Sequence, residues 1–134
     1  MVKAEFKGRL AVECLDDTAE QPDLWVLIKP LQVELTWTAT PPVTQLLTIP
    51  TGFITDFASV PRMPLVYLAV GGMGERAAVV HDYLYGGGLC SRADADAVFR
   101  ACLIACRVSR WRAWLMWAGV RLAGGRYYGP RPRA

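Results

Sequence analysis

Leu31-Gln32-Val33-Glu34-Leu35-Thr36-Trp37 alternates apolar and polar residues, the period of a strand with one face in a core and the other in water. Upstream, Leu24-Trp25-Val26-Leu27-Ile28 is a short apolar run that reads as another strand. Downstream, Pro41-Pro42 breaks the pattern and places a loop, and Gln45 to Ile49 forms a further strand running into the turn signal Pro50-Thr51-Gly52. The remaining elements read as helices. Pro64 to Val70 reads as a short one, closed by Gly71-Gly72. Glu75 to Tyr85 predicts a helix of about three turns, stopped by Gly86-Gly87-Gly88. Ser91 caps the next helix with Asp94 at the capping-box position, and Ala95, Val98, Phe99, Cys102, Leu103 and Cys106 make one apolar stripe. Ser109 opens a last helix with Trp111, Trp114, Leu115, Ala118 and Leu122, ended by Gly124-Gly125. Strands first and helices second predict an α+β domain, with antiparallel strands followed by three to four helices. The short Gly-rich link between residues 85 and 91 predicts that the helices it joins form an antiparallel pair.

A chain of 134 residues is the size of one domain, here expected over 1–125, with 126–134 as a basic flexible tail. Charged residues are only 20% of the chain, which argues against disorder. The net charge of +3 is unevenly spread: from Arg100 onward every charged residue is an arginine. Such a basic end suits phosphate of lipid or nucleic acid, or serves simply as a solvated face. Trp111, Trp114 and Trp117 predict core packing with arginines outside; the other reading is a membrane-interface face. Cys14, Cys90, Cys102 and Cys106 contain no C-x-x-C pair, and with His81 the sole histidine they read as thiols of a reducing cytoplasm, not as a zinc site. The start of the chain, Met1 to Phe6, has no apolar segment of a signal peptide, and arginines interrupt the apolar stretch 101–124, so no transmembrane segment is expected.

The chemically distinctive pair is His81-Asp82, within Ala77-Ala78-Val79-Val80-His81-Asp82-Tyr83-Leu84-Tyr85. Helical spacing puts Ala77, Val80, His81, Leu84 and Tyr85 on one face, so His81 points to the packed side and Asp82 to its edge. The returning helix brings Asp94 or Asp96 toward His81, and Asp96 is the better placed, sharing a face with Phe99 and Leu103. A carboxylate behind a histidine fixes its tautomer and stabilises the imidazolium, so the ring can take a proton from water. An adjacent Asp facing elsewhere can hold a hard cation such as calcium. The plainer reading makes His81 a satisfied core residue bonded to Asp56 or Asp96.

His81-Asp82-x-x-Tyr85, followed by Asp96 on a second helix, resembles the catalytic helix pair of phospholipases A2, especially the compact forms without disulfides. The resemblance implies His81 as general base, Asp82 as calcium ligand, and Tyr85 and Asp96 as the residues that orient the histidine. It covers residues 77–100, and the family's glycine-rich calcium loop has no clean counterpart upstream.

A second resemblance spans residues 24–125. Ile49-Pro50-Thr51-Gly52-Phe53-Ile54-Thr55-Asp56-Phe57-Ala58-Ser59-Val60-Pro61-Arg62, the His81 run, Ser91 to Asp96 and the Trp-rich helix together resemble a phage and prophage family of unknown function. That implies phage origin and synthesis in the bacterial host cytoplasm, with incorporation into the virion as a further expectation. Asp56 and Ser59 read either as loop anchors or, with Arg62, as substrate-binding residues that complete the pocket around His81. Two functions stay open. One is a hydrolase-like protein acting on esters or amides of the bacterial envelope. The other is a non-catalytic virion, tail or assembly component in which the cluster is structural. The partners implied are envelope lipid or phage structural proteins, since no nucleic-acid recognition motif is present. The hydrolase requires His81 to open onto a solvent-connected pocket with a carboxylate in reach of one ring nitrogen.

Overall fold

The alternation over 31–37 is realised as β4 (Leu31–Trp37), the central strand of a three-stranded antiparallel sheet flanked by β1 (Val2–Phe6) and β5 (Val43–Ile49). The structure is a computed structural model that describes residues 1–16, 24–55, 74–123 and 128–129. Leu31, Val33 and Leu35 face the core, each contributing about 1.5–3 kcal/mol by leaving water. On the outer face Thr36 and Thr44 hydroxyls lie 3.3 Å apart across the strands, and Gln32 donates to Thr48 Oγ1 at 3.4 Å. A second antiparallel sheet has the order β2 (Val12–Asp16), β3 (Leu24–Leu27), β6 (Ile54–Thr55). β1, β2 and β6 add to the strands expected from sequence. Gly52, at φ 91°, supplies the turn between β5 and β6 that a side chain would strain.

Three described helices follow: α1 (Glu75–Gly87), α2 (Arg92–Ala105) and α3 (Arg110–Ala123). α1 runs two residues into the glycine triplet and ends where Gly88 takes φ 58°. It is buried on more than the expected face, since Ala78 and Val79 are enclosed along with Ala77, Val80, His81, Leu84 and Tyr85. Ser91 caps α2 as its side chain accepts from the Asp94 amide at 3.1 Å. α2 packs against α1, α3 and β1. Its exit is a Schellman turn: the Val108 amide bonds Leu103 O at 3.0 Å, the Arg107 amide bonds Ile104 O at 3.0 Å, and Arg107 sits at φ 67°.

One expectation is corrected. Core packing holds on α3 for Ala113, Met116 and Val120, with Trp117 half-buried, but Trp111 and Trp114 are 60% and 49% exposed. Helical rotation turns them away from the α2 contact. Within the tail, Tyr128 stacks edge-on to Tyr85 and donates to Cys90 O, and the Gly129 amide bonds Tyr85 O at 2.9 Å. At these two positions the chain is anchored on the domain because the phenol finds an acceptor there. No helix among the described residues is long and apolar enough to cross a membrane.

Candidate functional site

Three consecutive helices converge on one carboxylate. His81 and Tyr85, one turn apart on α1, both reach Asp96 on the second turn of α2. The His81 Nε2 to Asp96 Oδ1 distance is 2.9 Å, and the Tyr85 hydroxyl donates to the same oxygen at 2.5 Å. Arg121 of α3 donates to Asp96 Oδ2 at 2.9 Å, with Arg92 Nε 4.0 Å away on the same side. Arg92 also bonds the Tyr85 hydroxyl at 3.3 Å and the carbonyls of Val120 and Arg121 at 2.8 and 2.6 Å. The arginine thus clamps the end of α3 onto the pair formed by α1 and α2.

The charges follow from this geometry. Burial works to raise the Asp96 pKa, but hydrogen bonds from His81, Tyr85 and Arg121 outweigh it and hold the carboxyl below its ordinary value. Burial, followed by the bond to Asp96, pushes Tyr85 up to about 12. An ionised carboxylate only accepts, so the proton of the His81–Asp96 contact belongs to Nε2. In the neutral ring Nδ1 is then the bare acceptor, and this buried nitrogen has no hydrogen-bond partner among the described residues.

The expected opening is a further correction. His81 is 1% exposed and Asp96 is fully buried. His81 lies between the Tyr85 and Phe99 rings, with centroids 4.0 and 4.6 Å away, which is why no face of it reaches solvent. An apolar recess between the β4–β5 hairpin and the helices is lined by Trp37, Leu46, Leu84, Leu89, Cys90 and Val98, without His81.

Asp82 stands apart from the cluster, half-buried, its Oδ2 accepting from the Thr55 hydroxyl of β6 at 2.9 Å. Calcium takes six to eight oxygens. Among the described residues no group of three His, Cys, Asp or Glu side chains converges. Asp94 is exposed and serves the helix cap. Asp56, Ser59 and Arg62, and the segment Pro64 to Val70, lie outside the described residues. Sequence reasoning missed Arg92, Arg121 and Thr55. Arg92 at i−4 from Asp96 was the one readable signal.

Fold and site together define an α+β domain whose helices enclose a His–Asp–Tyr network secured by two arginines. The chain belongs to the family described as Protein of unknown function (DUF1353), which matches residues 30–120, from β4 into α3. No curated protein and no solved structure matches it.

Proposed function

We propose that the chain is a non-catalytic phage virion or accessory protein in which the network around Asp96 is a structural node joining three helices, a reading carried by the sealing of His81 and Asp96. A second reading, a phage-encoded, hydrolase-like protein acting on an ester or amide of the bacterial envelope, is favoured by the asymmetry of the His81 ring: Nε2 is held by Asp96, while Nδ1 is buried and has no hydrogen-bond partner among the described residues. A purely structural histidine would be expected to satisfy both nitrogens, because an orphaned buried polar atom costs about 1–3 kcal/mol. In the second reading the helices must first part to admit water, which gives a proton to Nδ1 as its oxygen attacks the carbonyl. Asp96 stabilises the imidazolium, and the proton then passes to the departing alkoxide or amine. Tyr85, bonded to the same oxygen of Asp96, orients the carboxylate. The phage assignment rests on the three spaced sequence motifs, and the ester substrate on the resemblance of the His81-Asp82 helix to phospholipases A2.

Turnover separates the two. The purified chain is assayed on phosphatidylglycerol vesicles, a soluble ester and envelope fragments, with calcium and with chelator. The hydrolase gives turnover that His81→Gln abolishes with little change in melting temperature, since glutamine keeps a donor toward Asp96. If the native chain turns over none of these substrates in either condition, the non-catalytic reading stands.

A further inference from the structure

The outer face of α3 carries Trp111, Trp114, Leu115 and Leu122, which are 60%, 49%, 42% and 89% exposed. At 100° per residue these four and half-buried Ala118 fall in one stripe about 100° wide, the apolar face of an amphipathic helix. Arg110 flanks the stripe on one side and Arg112 on the other, where its guanidinium lies 5.2 Å from the Trp111 ring centre. Arg107 sits in the turn that leads into α3, exposed, at a left-handed position where glycine would be unstrained. Among the described residues no carboxylate forms an ion pair with Arg107, Arg110 or Arg112, and no acidic residue follows Asp96 in the sequence. An exposed stripe this apolar is uncommon on a chain that meets only water.

We propose that α3 is a membrane-surface helix that seats Trp111, Trp114, Leu115 and Leu122 in the interface of an anionic lipid layer. Tryptophan favours that boundary, with an apolar ring and one N–H donor, and the flanking arginines meet the lipid phosphates. A helix of 14 residues is about 21 Å long, suited to lying along a bilayer and too short to cross it. Charge selects an anionic occupant, since Arg107, Arg110 and Arg112 cluster at one end of the stripe with no carboxylate paired to them among the described residues. The inference is independent of catalysis at His81.

Flotation of the full chain with vesicles tests it. Vesicles containing phosphatidylglycerol should capture the protein at least tenfold better than pure phosphatidylcholine, with a blue shift in tryptophan emission and weaker capture at high salt. Trp111→Ser with Trp114→Ser should remove capture and the shift, and Arg107→Glu with Arg110→Glu should lower capture at least tenfold. All four side chains are exposed, so circular dichroism and melting temperature should stay near native. Equal capture by both vesicle types, capture retained in the tryptophan variant, or no capture at all would overturn the proposal. So would a dimer in solution that the tryptophan variant disrupts while vesicles capture neither protein.

Discussion

His81 Nε2 and Asp96 Oδ1 lie 2.9 Å apart, and neither side chain is more than 1% exposed. Asp96 also holds Tyr85 and Arg121, so its charge is shared among three helices. Asp96→Asn should cost about 1–3 kcal/mol in denaturant unfolding, because a neutral amide replaces the charged acceptor that His81, Tyr85 and Arg121 share. Tyr85→Phe should cost about 1–2 kcal/mol, and the double variant should fall short of the sum, since both side chains use one oxygen.

Stability should decline at both ends of the pH scale. The Asp96 carboxyl is held below its ordinary value in the folded chain, so its contribution is full above about 3.9, the unfolded value, and is lost as pH falls through the depressed folded one. Tyr85 has the opposite sign. Its folded pKa is raised to about 12, so its contribution is full below about 10 and lost as pH rises toward the folded value. Denaturation midpoints across pH should show both limbs, and Tyr85→Phe should remove this tyrosine's share of the alkaline one.

Thr55 links the second sheet to α1 through Asp82. Thr55→Val keeps the volume and removes the hydroxyl donated to a half-buried carboxylate. Unfolding in denaturant should show a loss of about 1–3 kcal/mol with the slope unchanged.

Arg107 occupies a left-handed position in the turn between α2 and α3, at φ 67°. Arg107→Gly should raise stability by up to about 1 kcal/mol, since the left-handed region costs a side chain about that much. The same variant should bind anionic vesicles more weakly, so stability and capture move in opposite directions.

The cap of α2 provides a local comparison. Ser91→Ala removes the acceptor of the Asp94 amide and should cost about 1 kcal/mol by thermal or chemical denaturation. Because it leaves the Asp96 contacts intact, the acid and alkaline limbs should persist.

Local patterns made much of the fold legible. Period-two alternation located β4, the Ser91 cap located α2, and helical spacing turned His81 and Tyr85 toward a partner that the Gly-rich link made Asp96. Val2 to Phe6 carries the same alternation as β4, but five residues are too few to declare a strand until β4 pairs with them. β6 is two residues long and exists only through its ladder to β3.

Sequence by itself determined the order of strands and helices and the residues of the central cluster, since both follow from the spacing of side chains along one short stretch. Tertiary structure alone decided that Arg92 and Arg121 complete the cluster, that His81 is sealed and that Trp111 and Trp114 face outward. Those outcomes depend on how the helices are rotated and docked against one another, a relation between elements that no local spacing encodes.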